Sequence, residues 1–76
     1  MPTLLHKNGY KFFFYANDHE PAHIHVIKGG GWAKVEPSSL VVVYSSLKQQ
    51  EIKSALNIIE EHQTQFLEAW DEWFSR

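Results

Sequence analysis

Residues that could bind a metal ion or transfer a proton are concentrated in one short stretch, Asp18 to His25. This stretch holds three of the five histidines, together with two carboxylates and a proline. His23 and His25 are two residues apart, so on a strand their imidazoles would project from the same face, about 6–7 Å apart along the chain. An imidazole pair at this spacing can chelate a metal ion.

Two kinds of chemistry fit these side chains. In the first, His19, His23, His25 and Asp18 are candidate ligands for a divalent metal such as zinc, since three protein ligands and an open position make a catalytic arrangement. In the second, no metal is needed. His19, His23 and His25 would act as general acids or bases or contact phosphate, while Glu20 or Asp18 holds the imidazole tautomer.

A structural interpretation of the same stretch stays open. His, Asp, Glu and Pro are common in exposed turns, and histidines on a half-solvated strand face can simply cover it. The stretch is not a zinc-protease motif, which places two histidines four residues apart on a helix. Pro21 rules out a helix here.

Composition narrows the classes of protein that the chain can belong to. Its 76 residues form one domain, residues 1–76, and the lack of cysteine excludes disulfides and thiolate zinc sites. A net charge of −2 argues against strong nonspecific nucleic-acid binding, although a local lysine patch could still touch phosphate. No apolar segment is long enough for a signal peptide or a membrane span, so we expect a cytoplasmic protein with no membrane partner.

Strand-like segments occupy the first 44 residues. Asn8-Gly9 is a strong hairpin signal between segments 3–7 and 10–16, and the three glycines 29–31 predict a second turn rather than a phosphate-binding loop. Both faces of segment 10–16 are apolar, so we expect this strand to be central and covered on each side. The predicted strands are 3–7, 10–16, 22–28, 32–36 and 40–44, the last of them either a short strand or an extended connection.

The remaining residues have helical periodicity, with apolar side chains recurring every three or four positions from Ile52 onward. Ser46 is a plausible N-cap. One straight helix over residues 47–76 would be about 45 Å long, too long for a compact domain of this size. We therefore expect a break around His62, with Thr64 capping a second helix.

The order of elements predicts an α+β fold. Four or five antiparallel strands form a meander, and one or two C-terminal helices pack on one face. The alternation along residues 22–28 places Ile24 and Val26 under the helices and His23 and His25 on the opposite, more open face. His19 and Glu20 would lie at the rim of that face.

Several motifs resemble those of a small bacterial family known as domain of unknown function 4160. The similarity covers nearly the whole chain, and its most distinctive part is the histidine stretch. The matching segments are Met1-Pro2-Thr3, Gly9 to Tyr15, Asn17 to Val26, Ala33-Lys34, Glu61-His62 and Glu68-Ala69-Trp70-x-x-Trp73-Phe74.

The resemblance implies a bacterial protein whose gene lies beside another small gene, as in a toxin–antitoxin pair, and it implies no activity. We therefore expect a protein partner or a homo-oligomer, contacted through a sheet edge or the aromatic stripe Trp70, Trp73 and Phe74. The alternative is a histidine-dependent hydrolase or nuclease, with or without a metal ion, acting on phosphodiesters through Asp18 to His25. In that alternative Lys34 would contact an anion.

Overall fold

The computed structural model describes residues 3–74 and has the predicted α+β architecture. Five antiparallel strands form a meander in the order β1-β2-β3-β4-β5, and two helices follow. Ser75 and Arg76, which end the predicted helical segment, lie outside the described residues. The elements are β1 Thr3–Lys7, β2 Tyr10–Phe13, β3 Ile24–Lys28, β4 Gly31–Glu36, β5 Val41–Ser45, α1 Gln49–Glu61 and α2 Gln63–Phe74.

Tight turns join β1 to β2 and β3 to β4, as the sequence predicts. Asn8 and Gly9 have φ of 54° and 83°, the left-handed pair that a two-residue hairpin requires. A second hairpin joins β3 to β4 at the glycines, where Lys28 pairs with Gly31. No phosphate-loop geometry is present there, since a strand and not a helix follows the glycines.

The helices cover one face of the sheet and build the core with it. This helix-covered face includes Ile24 and Val26, as predicted, and both side chains are fully buried. Alternate residues of the same strands point to the other side, which we call the open face. The core residues contributed by the sheet and the helices are Tyr10, Phe12, Phe14, Ile24, Val26, Ala33, Val35, Ala55, Ile58, Ile59, Phe66 and Trp70.

Both faces of β2 are buried, as predicted, but one is covered by the helices and the other by neighbouring side chains. Phe12 lies under the helices and contacts Phe66, with ring centroids 5.7 Å apart. Phe13, on the open face, is 2% exposed although no helix covers it. The rings of Tyr15 and His25 lie 5.3 Å and 5.4 Å from its ring, so neighbouring side chains exclude water there.

The ends of the strands differ from the prediction. The second strand ends at Phe13 and the third begins only at Ile24, because a turn at Tyr15 to Asp18 and the segment after it separate them. The fifth segment is a true strand but begins at Val41. Leu40 has a φ of 61° and donates its N–H to the Glu36 carbonyl, so it belongs to the preceding turn.

The helical segment breaks at His62, as predicted. Helix α1 ends at Glu61, and His62 leaves helical geometry with φ of −116° and ψ of 20°. Its backbone N–H and ring Nδ1 both donate to the Ile58 carbonyl. The predicted caps are wrong. Thr64 lies inside α2, and α1 is capped at Lys48, whose backbone N–H donates to Glu51 Oε1.

Ser46, the predicted N-cap, forms hydrogen bonds with Trp32 of β4. Its hydroxyl accepts the Trp32 N–H at 3.0 Å and its own N–H donates to the Trp32 carbonyl, so it extends the β4–β5 pairing instead of capping the helix. Within residues 3–74, neither helix has the length and apolar character needed to cross a membrane.

Candidate functional site

Asp18 is held in place by the turn that follows β2. Its N–H donates to the Tyr15 carbonyl at 3.1 Å, and its Oδ2 accepts the Tyr15 N–H at 2.8 Å. Aspartate favours such turns because its side chain can bond to nearby backbone. The turn points the carboxylate back toward β3, and the side chain is only 16% exposed.

His23 is a buried histidine next to that carboxylate. Its Nε2 lies 3.2 Å from Asp18 Oδ2, and its Nδ1 donates to the Pro21 carbonyl at 3.0 Å. The peptide bond between Glu20 and Pro21 is cis. The ring of His23 also packs on Trp70 of α2, with centroids 5.1 Å apart. His23 therefore lies just before β3, between the end of the sheet and the second helix.

His25 approaches the same carboxylate oxygen from the open face. Its Nε2 lies 3.2 Å from Asp18 Oδ2, and its side chain is 11% exposed. The ring stacks on Phe13, and the ring of Tyr15 lies 4.8 Å from it. These contacts fix the orientation of the imidazole, because it has aromatic neighbours on more than one side.

The structure thus brings Asp18, His23 and His25 together. One donor atom from each lies within 4.8 Å of the other two. The two imidazole rings are 5.1 Å apart and nearly perpendicular, so they converge on Asp18 instead of lying side by side on one face. The convergence is compatible with a metal site and with an acid–base pair, and it leaves both interpretations as predictions.

His19 and Glu20, also predicted from the sequence, are placed differently. His19 is exposed and lines the groove beside the cluster. Glu20 accepts a hydrogen bond from Trp70 Nε1 at 3.1 Å, which ties the loop to α2. Neither belongs to the convergent group found among residues 3–74.

The electrostatics of the cluster favour a charged carboxylate and a neutral imidazole. Burial acts to raise the pKa of Asp18, but the Tyr15 N–H bond and the two histidines outweigh it, so that pKa is lowered. Burial lowers the pKa of His25. Asp18 opposes that shift, while His23 and Lys34 add to it.

Two shallow grooves flank the cluster on the open face. The aromatic groove, about 320 Å³, is lined by Phe13, Tyr15, His25, Ile27 and Trp32 together with the three glycines. The polar groove, about 330 Å³, is lined by Asp18, His19, Glu20, Pro21, His23, Lys34, Glu36 and Val43. The predicted anion contact, Lys34, therefore lies in the groove onto which Asp18 and His23 open.

The C-terminal aromatic stripe is largely core. Trp70 is 1% exposed and contacts Phe14 and Phe74, with ring centroids 5.3 Å and 4.2 Å away. Trp73 is 40% exposed and donates its Nε1–H to the Ala16 carbonyl. Most of the stripe is therefore used to hold α2 on the sheet.

Sequence reasoning did not single out the aromatic pair Trp32 and Tyr44. Their rings lie 4.5 Å apart across β4 and β5 on the open face, and both are more than two-fifths exposed. The alternation in β4 contains the signal, since Trp32, Lys34 and Glu36 share the face opposite to Ala33 and Val35.

Comparison with known proteins yields one family. The family model described as a domain of unknown function, DUF4160, matches residues 9–71, which include every residue of the cluster and both grooves. No curated protein and no solved structure matches the chain.

Proposed function

The chain belongs to the DUF4160 family, whose description assigns no activity, and from this premise we propose that it binds a protein partner through its sheet. The partner is the product of an adjacent gene, and the two form a toxin–antitoxin-like pair in the bacterial cytoplasm. The surface proposed is the open face together with the outer edge of β5. The single observation that supports it is the exposure of large apolar side chains there.

The open face is unusually apolar for a surface in contact with water. Four apolar side chains on its central strands and β5, Ile27, Trp32, Val41 and Tyr44, are each between 38% and 51% exposed. Large contiguous apolar patches on a small domain are typical of interaction sites. Trp and Tyr are also the residues that most often dominate the binding energy of protein interfaces.

The edge of the sheet adds backbone groups to that patch. β5 pairs with β4 on one side only, which leaves its other side as the end of the sheet. The strand reads Val41-Val42-Val43-Tyr44, and natural edge strands normally carry charges or prolines that prevent pairing with another chain. An apolar edge of this kind suits a partner that adds a strand beside β5.

Co-expression with the adjacent gene product tests this proposal. We expect one complex in size-exclusion chromatography, and we expect Tyr44→Lys to weaken it about thirtyfold, as the loss of about 2 kcal/mol at a central aromatic would do. Gln50→Lys is the matched control, because it adds the same charge at an exposed position of α1. Elution of the two wild-type proteins as separate species would refute the proposal.

A second candidate function is a histidine-dependent hydrolase or nuclease acting on phosphodiesters. The observation that favours it is the placement of Asp18 and His23 on the polar groove together with Lys34, a cation suited to a phosphate. In this proposal His23 and His25 transfer protons or bind a metal ion, and Lys34 holds the anion.

RNA cleavage by the purified, untagged chain tests the second candidate. We expect His25→Gln to reduce cleavage at least about 100-fold, as the loss of a general acid or base does. Lys34→Ala should reduce cleavage as well, because the phosphate loses its cation. Lys53→Ala serves as the control, since Lys53 is exposed on α1. Equal cleavage by wild type and His25→Gln would exclude this function.

A further inference from the structure

We propose that Asp18, His23 and His25 bind one divalent transition-metal ion of the zinc type. The site goes beyond partner binding, because a metal can be held in this loop whether or not the sheet is occupied. The hydrogen-bond directions, the distances between donor atoms and the surroundings of the cluster all support it.

The hydrogen bond of His23 to Pro21 fixes the tautomer of its ring. The Pro21 carbonyl can only accept a hydrogen bond, so the 3.0 Å contact places a proton on His23 Nδ1. In the neutral ring Nε2 then carries a lone pair, and this lone pair faces Asp18 Oδ2 at 3.2 Å. Two acceptors at that distance repel each other. Either a proton on Nε2 or a metal ion between the two atoms removes the repulsion, and a metal ion would use both lone pairs.

The distances from the Asp18 carboxylate to the two imidazoles are close to those of a metal site. In a tetrahedral site with bonds of about 2.0–2.1 Å, neighbouring donor atoms lie about 3.3–3.4 Å apart. Asp18 Oδ2 lies 3.2 Å from His23 Nε2 and 3.2 Å from His25 Nε2. Two edges of the coordination polyhedron are therefore close to their bound length. The third, between the two imidazole nitrogens, lies within 4.8 Å, so a bound ion would draw the two imidazoles together.

The atoms behind the donors are arranged as around known metal ligands. Metal-bound histidines commonly donate the second ring N–H to a carbonyl, as His23 does to Pro21, and metal-bound carboxylates are themselves hydrogen-bonded. Asp18 accepts the Tyr15 N–H. The rings of Trp70 and Phe13 lie beside the two imidazoles and keep water from all but the groove side.

The donor set selects the class of ion. Two imidazoles and one carboxylate suit zinc and its neighbours in the first transition row, whereas magnesium and calcium prefer oxygen ligands throughout. Three protein ligands leave a further coordination position. Since Asp18 and His23 line the polar groove, this position opens toward Lys34 and Glu36.

Zinc binding to the untagged chain, measured by calorimetry and by elemental analysis after EDTA treatment and dialysis, tests the inference. We expect one ion per chain, a higher unfolding temperature with zinc than with magnesium, and binding weakened at least about 100-fold in Asp18→Asn and His25→Gln. These two variants keep the approximate shape of the side chains, so we expect them to fold. Loss of zinc binding in a folded variant can then be assigned to the lost ligand.

The matched control is His6→Ala, which removes an exposed histidine from β1. It should bind zinc as the wild type does, and so should His19→Ala, because His19 is exposed and lies outside the convergent group. Zinc bound at well under one ion per chain would overturn the site, and so would unchanged affinity in His25→Gln. A nitrogen-15 spectrum showing His23 protonated on both ring nitrogens in the presence of zinc would also overturn it.

The assay uses the isolated chain, so its failure is distinct from failure of the proposed partner interface. Loss of zinc binding leaves the co-elution experiment unaffected. Loss of co-elution in Tyr44→Lys leaves the zinc stoichiometry unaffected, since Tyr44 pairs with Lys34 in β4 and is not one of the three ligands.

Discussion

The two faces of the sheet are made by alternate residues of the same strands, yet they differ in how far their side chains are buried. On the helix-covered face, side chains such as Phe12, Ile24 and Val35 are fully buried and contain no polar atom. On the open face, Trp32 and Tyr44 are large and apolar as well, but they are left about half exposed. Hydrophobicity alone therefore does not distinguish the core of this protein from its candidate binding surface.

What distinguishes the faces is the presence of polar groups with fixed directions. The convergent Asp18 and His25 meet beside the open face, and Lys34 and Glu36 stand among its apolar residues. A helix packed over these charges would have to desolvate them. The open face thus remains uncovered within residues 3–74, while the helices pack on the face that carries no charged side chain in the core.

The largest loss of stability is expected from removing an aromatic ring on the helix-covered face. Phe66→Ala should lower the free energy of unfolding by about 3–5 kcal/mol, because Phe66 is fully buried and contacts Phe12. In a domain this small each kcal/mol corresponds to about 4–8 °C in melting temperature. Urea unfolding followed by circular dichroism measures the change.

Phe66→Leu is the control for this experiment, since it keeps an apolar side chain in the same space and should cost far less. A loss below about 1 kcal/mol in Phe66→Ala would mean that α2 does not pack on the sheet as described.

Lowering the pH should reduce the stability of the fold by an intermediate amount. The loss comes from His25 and Asp18, beside the open face. The pKa of His25 is below its usual value of 6.5, so the folded state binds this proton less readily than the unfolded chain. The stability that depends on neutral His25 is complete above that value and is lost as the pH falls below it. Asp18 has a lowered pKa too, and its contribution is lost in a lower window, as the pH falls below 3.8.

Urea midpoints at about pH 7.5 and about pH 5, with EDTA present, measure the first window. The midpoint should fall with pH in the wild type and fall less in His25→Gln, whose amide can still donate to Asp18. His6→Ala should behave as the wild type. A midpoint that rises as the pH falls would contradict the direction of the His25 shift.

The sequence predicts those features of the two faces that depend on neighbouring residues. The period of two along residues 22–28 is enough to place Ile24 and Val26 in the core, and Asn8-Gly9 is enough to place a hairpin. The break at His62 follows from a length argument, since no glycine or proline marks it. The fold class follows from the order of the elements.

The candidate site is less predictable because its geometry depends on a turn and on contacts between distant segments. Asp18 reaches both histidines only through the turn with Tyr15, and strand alternation cannot show that His23 precedes β3 and packs on Trp70. Glu20 meets Trp70 fifty residues later. Ser46 has the right chemistry for an N-cap but is used by Trp32 instead.

The smallest effect on stability is expected on the open face itself. Trp32→Ala removes a ring as large as any in the core, yet the side chain is 42% exposed and its main partner is Tyr44. A cross-strand pair of this kind contributes about 0.2–1 kcal/mol, so the urea midpoint should move far less than in Phe66→Ala. If the two variants lost equal stability, Trp32 would be part of a core. The conclusion that the open face contributes little to stability would then be wrong. If Trp32→Ala folded normally but no longer eluted with the adjacent gene product, the exposed ring would be explained by binding and not by folding.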